Sequence, residues 1–178
     1  MTAEKINTEK LFVCLDETSK KLEKLIYPLN AETFNAVPFT NSWTAAQVIV
    51  HVIKSNLTIA KALNMEGKII DRDPAERVEE LKDLFLDFTV KFESPEFILP
   101  ADTWYIKEEV VRDFIHSMQQ LDEESKPVNL AEAISHPAFG EITKLELLYF
   151  VLFHTQRHIH QVKNILTCLV YTKNHENL

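Results

Sequence analysis

Glycine is nearly missing from the sequence, with two residues in 178, where ordinary usage would supply about 12. That scarcity argues against a Gly-rich loop cradling a phosphate, a dinucleotide fingerprint or a β architecture dense in tight turns. Cysteine is equally scarce. Cys14 and Cys168 form no CxxC pair and no disulfide framework, and each falls in an apolar helical pattern that predicts a buried thiol. Long hydrophobic runs are also lacking: no segment approaches about 18 uninterrupted apolar residues, so no membrane partner is expected. The start, Met1-Thr2-Ala3-Glu4-Lys5, is polar and leads into no secretory apolar region, which points to a cytoplasmic protein. Basic residues are the minority, 19 against 27 acidic, for a net charge of −8. Such a field repels phosphate backbones and argues against nucleic acid as a partner.

What is present is helical periodicity with clear punctuation. Leu11, Leu15, Leu22, Leu25 and Ile26 recur at three- and four-residue spacings over residues 4–27, and Pro28 ends the run. Ser42 is a candidate N-cap for a second helix over 43–65, closed by Gly67. Asp73-Pro74 reads as a third helix start, continuing to Phe92 with Val78, Leu81, Phe85 and Phe88 on one stripe. Pro95 and Pro100 bracket a loop. Thr103 is a candidate cap for a helix to Glu124, with Trp104, Val111, Phe114, Met118 and Leu121 inward. After Pro127 comes a small element at 130–134 and a tight turn over 136–141. Thr143 then caps a long last helix over 144–171, followed by a polar tail, 172–178, expected to fray. With no repeat and no linker, residues 1–178 read as one domain. The expected class is all-α, a four-helix bundle with a crossover connection. A chain of this size buries a core without staples, so a metal here would serve function rather than folding.

The chemistry-bearing feature is His154-Thr155-Gln156-Arg157-His158-Ile159-His160-Gln161. Residues four apart on a helix lie side by side, so His154 and His158 can converge on one ion. They extend the stripe of Leu147, Phe150, Val151, Val162 and Ile165 and point into the bundle, whereas His160 faces elsewhere. The spacing alone also fits two core histidines satisfied by hydrogen bonds. A third imidazole, His51, sits among Val48, Ile49, Val50, Val52 and Ile53, where an unpaired polar group is costly and a partner is required. Gln47 lies one turn before it. His136 in the turn suits a local backbone bond better than ligation. Glu141 and Glu146 read as exposed charges, and His116 as an exposed side chain.

The run Trp43-Thr44-Ala45-Ala46-Gln47-Val48-Ile49-Val50-His51 resembles the W-[ST]-x-x-[EQ]-[VIL]-x-x-H signature of the DinB/YfiT-like superfamily. His136-Pro137-Ala138-Phe139-Gly140-Glu141-Ile142-Thr143 and His154-x-x-Arg157-His158-x-x-Gln161 are similar to its H-P-x-x-G-x-[LI]-T and H-x-x-[RH]-H-x-x-[QH] segments. The order of these motifs, about 100 residues apart, is more specific than any one of them. The resemblance implies a four-helix bundle, often a homodimer, in which three histidines hold a divalent metal, typically Ni or Zn. Carried over by position, the ligands are His51, His154 and His158, with Gln47 and Gln161 as candidates to orient them and Trp43 packed beneath. It also implies a small-molecule substrate and a low-molecular-weight thiol activated for transfer to an electrophile. A metal-dependent hydrolase and a non-catalytic ligand-binding bundle are the alternatives. The transferase-like members continue after the first ligand with an acidic residue and then S-H. Here that stretch is Val52-Ile53-Lys54-Ser55-Asn56, with Lys54 one turn from His51.

Overall fold

The computed structural model describes residues 8–175. Six α-helices occur among them: α1 (Thr8–Ile26), α2 (Ala31–Asn35), α3 (Ala45–Leu63), α4 (Val78–Leu86), α5 (Lys107–Ser125) and α6 (Lys144–His175). The long helices α1, α3, α5 and α6 make a four-helix bundle. α3 packs on both α5 and α6, and α1 packs on the other side of the same two, so α1 lies diagonally across from α3. The connection over residues 27–44, with α2 in it, therefore crosses the end of the bundle, as the crossover expectation required. α4 packs along the outside of α6. Among the described residues no helix is long and apolar enough to cross a membrane.

The apolar spacings produce the expected buried faces. Leu11, Leu15, Leu22 and Ile26 of α1 are buried, and so are Phe114 and Leu121 of α5, while Leu25, Val111 and Met118 are half-buried and Val110 is enclosed in place of Val111. Phe114 is fully enclosed, and burying a side chain of its size contributes about 1.5–3 kcal/mol. The core divides into two apolar clusters. On α6 the first ends at Phe153 and the second resumes with Ile159 and Val162. His154 and His158 occupy the gap between them.

Several boundaries differ from the sequence expectation, each for a local reason. Thr44, not Ser42, caps α3: its Oγ1 accepts from Gln47 N at 3.1 Å, while Gln47 Oε1 accepts from Thr44 N at 2.9 Å. Gly67 does not cap that helix, which ends at Leu63 with Asn64 following in a right-handed conformation. Gly67 instead lies where a Cβ would come within 2.7 Å of Glu132 Cβ. This close approach brings β1 (Lys68–Ile69) against β2 (Glu132–His136). The turn over 136–141 closes a hairpin with β3 (Gly140–Thr143), giving an antiparallel sheet in the order β1-β2-β3, and Gly140 supplies the positive φ, 66°, that the turn needs.

α4 is nine residues long rather than running from Pro74 to Phe92. Asp73 Oδ1 accepts from Ala75 N at 2.8 Å and Asp87 Oδ1 accepts from Thr89 N at 2.9 Å. These two local turns compete with helix at either end. Thr103 likewise caps nothing. Asn35 exchanges two 2.9 Å hydrogen bonds with the backbone of Tyr105, holding that strand of chain extended until Lys107. Trp104, expected inward, is 60% exposed. α6 continues four residues past the expected end, to His175, and the last three residues of the tail lie outside the described ones, as do residues 1–7. Cys14 and Cys168 are half-buried rather than enclosed.

Candidate metal centre

The bundle brings His51 on α3 together with His154 and His158 on α6. All three are buried, and each offers one nitrogen within 4.8 Å of the others'. His51 Nε2 lies 3.1 Å from His154 Nε2, and His158 Nε2 lies 3.0 Å from it. Two nitrogens each about 2.1 Å from a shared ion are about 3.0–3.4 Å apart, so the observed spacing already suits a common ligand.

The outer ring nitrogens explain which electrons face inward. His51 Nδ1 donates to the Ile98 carbonyl at 3.2 Å, and His158 Nδ1 donates to Gln161 Oε1 at 2.8 Å. Both acceptors require the proton on Nδ1, which leaves a lone pair on each Nε2. Two lone pairs thus converge on His154 Nε2. One proton there would serve one of them well, whereas a cation would serve all three. His154 Nδ1 is buried without a partner, so this ring alone lacks an outer tether. Burial lowers the pKa of His51, although the Ile98 bond opposes it and Lys54 reinforces it. Burial, followed by the neighbouring imidazoles, holds His154 well below the ordinary range and brings His158 to about 3. The cluster is therefore neutral at physiological pH, and neutral imidazole is the form that ligates. This donor set fits a divalent ion.

Gln161 thus sits against an imidazole, while Gln47 does not. Both ends of Gln47 are used elsewhere, in the α3 cap and in a long 3.4 Å bond from Nε2 to the Ala101 carbonyl. The group that orients His51 is the Ile98 carbonyl, at the end of a 3₁₀ turn, Glu96–Ile98. Sequence offers no signal for it, because every residue has a carbonyl. Lys54 is committed to the loop, donating to the Leu99 carbonyl at 2.6 Å. Gln47, His51 and Lys54 follow one face of α3 and together pin the loop between α4 and α5. Arg157 pins its other end: Nη1 donates to the Phe85 and Asp87 carbonyls at 3.2 and 2.9 Å, Nη2 donates to Val90, and the guanidinium lies 4.7 Å from the Phe92 ring centroid. Trp43 packs on His51, ring centroids 5.1 Å apart, and is half-buried at the edge of the site.

The other histidines fall outside the cluster. His136 Nδ1 accepts from Ala138 N at 3.2 Å, the local turn bond expected of it. His160 stacks on Phe88 at 4.0 Å, and His116 is exposed. Glu141 is exposed and pairs with Lys68. Glu146, expected exposed, is fully buried. Its carboxylate takes Arg72 in a two-pronged pair at 2.6 and 2.8 Å, together with the backbone N–H groups of Arg77 and Thr143 at 2.9 Å each. Thr143-x-x-Glu146 is a capping-box pattern and was the available clue.

Comparison with known proteins agrees with this architecture. The chain is 25% identical over 140 residues to the uncharacterized protein YuaE of Bacillus subtilis (strain 168), a match covering 77% of this chain and 85% of YuaE. A solved four-helix bundle protein, TT2238, shares the fold with a TM-score of 0.58 at 19% identity, over 88% of this chain and 98% of its own. The sequence profile of the DinB superfamily matches residues 15–162. The chain belongs to the DinB superfamily.

Proposed function

We propose that this protein is a divalent-metal-dependent enzyme, with Ni or Zn held by His51, His154 and His158, that activates a small thiol for transfer to an electrophile. The observation that carries the reading is the convergence of two tautomer-locked imidazoles on a third, with Nε2 separations of 3.0 and 3.1 Å. Three neutral ligands leave such an ion's charge uncompensated and a position open, which supplies Lewis acidity to a bound thiol or water. The protein's own groups do the rest. Ile98 and Gln161 fix two ring orientations, so less ordering is left to occur at loading. Phe85 and Phe150 pack edgewise and obliquely on His154, with centroids 6.1 and 5.0 Å away. This apolar wall limits water at the reacting end, which favours a thiol over water as the nucleophile.

Elemental analysis of protein purified without a nickel column tests the metal. About one equivalent of Ni or Zn is expected, lost in a folded His154→Ala variant. Metal-free protein that takes up no added ion would leave a non-catalytic bundle. Cobalt-substituted protein titrated with small thiols should develop a sulfur-to-metal charge-transfer band. Absence of a band with every thiol tried would reject thiol activation and return the hydrolase.

A further inference from the structure

The imidazole cluster lies at the inner end of a cavity of about 590 Å³, within the range that encloses a drug-sized ligand. Its walls are unusually aromatic. Trp43, Phe85, Phe139 and Phe150 line the inner part, and Phe39, Phe88, Phe92 and Phe97 the outer part. Those four outer rings are exposed, Phe39 at 61% and Phe97 at 63%. Single exposed apolar residues need no explanation, but a ring of them around one opening marks a surface that something covers. Two are already arranged as flat faces: Phe88 stacks on His160 at 7° and Phe92 on Phe85 at 23°.

Charge narrows the occupant. Of the cations beside the cavity, Arg157 is committed to three backbone carbonyls and the Phe92 ring, and Lys54 to the Leu99 carbonyl. Lys91 lies exposed on the outer loop with Glu93 close by in sequence. Apart from the proposed ion, no cation among the described residues of the enclosed part is free to receive a carboxylate or phosphate, so along the aromatic walls a buried negative charge would be unpaired and costly. We infer that the molecule accepted by this cavity is an uncharged aromatic compound, its rings against the phenylalanine walls and its reactive end at the histidines. The assignment of a reactive end rests on the metal-centre reading, while the ligand class rests on the walls.

The test uses N-phenyl-1-naphthylamine, an uncharged probe that fluoresces in apolar surroundings, titrated into metal-free protein, with zinc binding measured separately on the same preparation. One saturable site per chain is expected. 1-Naphthalenemethanol should displace the probe at about ten-fold lower concentration than 1-naphthoate, which has the same ring system and a negative charge. Phe97→Ser and Phe39→Ser, both at exposed positions and checked for unchanged unfolding midpoints, should each weaken binding about five-fold. Non-saturable binding, equal displacement by the carboxylate, or indifference to both substitutions would overturn the inference. Binding that falls as protein concentration rises would also overturn it, by assigning the rim to a second copy of the chain. Protein that binds zinc but not the probe refutes only the ligand class. Protein that binds the probe but no zinc refutes the metal reading and leaves the ligand class standing.

Discussion

Both helices that carry the imidazoles begin with a threonine that exchanges hydrogen bonds with the residue three positions on, Thr44 with Gln47 on α3 and Thr143 with Glu146 on α6. The chemistry of the two partners differs. Gln47 is neutral and half-buried, and its spare amide reaches only the long Ala101 contact. Glu146 is charged and fully enclosed, and its two oxygens take four donors, from Arg72, Arg77 and Thr143. One start is a local cap. The other ties α6 to the chain before α4 and to the hairpin, since Thr143 Oγ1 also donates to the Pro74 carbonyl at 2.6 Å. The pair of ligands on α6 therefore stands on a heavily bonded helix start, whereas the orientation of His51 is finished by a loop.

The largest effect should come from breaking the charged start. Arg72→Met leaves the Glu146 carboxylate buried with only its two backbone donors, and removing one partner of a buried pair costs about 3–5 kcal/mol. Urea unfolding of the metal-free protein should read the low end of that range, because the Arg72 side chain is itself 17% exposed. The pH dependence separates this feature from the imidazoles. Burial alone would raise the Glu146 carboxyl, but Arg72 and the Thr143 and Arg77 N–H groups outweigh it and hold it below its ordinary 4.5. Its contribution is thus present above about pH 4.5 and lost as pH falls through the lower folded value. The imidazoles also sit below their ordinary 6.5, His158 near 3. For them the unfolded chain binds protons first, so stability is full above about pH 6.5 and declines on acidification towards 3. His158→Phe should flatten the fall from pH 6.5 down towards 3, and Arg72→Met only the part below 4.5. Flattening above pH 4.5 by Arg72→Met would mean that the two features are not independent.

Next in size is the tether on α6. Gln161→Leu removes the acceptor of His158 Nδ1–H but leaves all three imidazoles, and loss of such an orienting bond typically weakens metal binding by about 10–100-fold. Competition against a zinc chelator measures it. Unchanged affinity would show that helix packing alone aims the ring, removing the distinction between the tethered His158 and the untethered His154.

How far the sequence disclosed this arrangement follows the same division. Periodicity and helix spacing were enough for the bundle and for the inward direction of His154 and His158, because both depend on residues three and four apart. His51 was legible as a polar residue in an apolar run. The loop that completes its surroundings was not, since Ile98 acts through its backbone and its position depends on Lys54, Arg157 and Gln47 reaching across from two helices. Gln47 was misplaced for a related reason: its spacing from His51 fits a ring contact, but the nearer backbone of Thr44 captured its side chain. The sequence alone predicts an exposed Glu146, because a single carboxylate in a first turn ordinarily is exposed. Its partner Arg72 lies 74 residues earlier, beyond the reach of any local pattern.

The smallest effect belongs to the neutral start. Thr44→Ala removes the acceptor for Gln47 N and should cost about 1 kcal/mol of stability, as loss of a threonine cap usually does. It should leave zinc affinity unchanged, because His51 lies two turns further along, where tertiary packing holds the helix. Gln47→Ala should cost less stability, since the Thr44 Oγ1 cap on the residue 47 N–H survives and only the reciprocal bond from Thr44 N and the long Ala101 bond are lost, yet it releases one of the attachments of the loop that carries Ile98. If the loop completes the site, this weaker substitution is the one that lowers zinc affinity, and the two variants rank in opposite order for stability and for binding. The same order in both measurements would mean that α3 alone positions His51 and that the Ile98 carbonyl follows the ring rather than directing it.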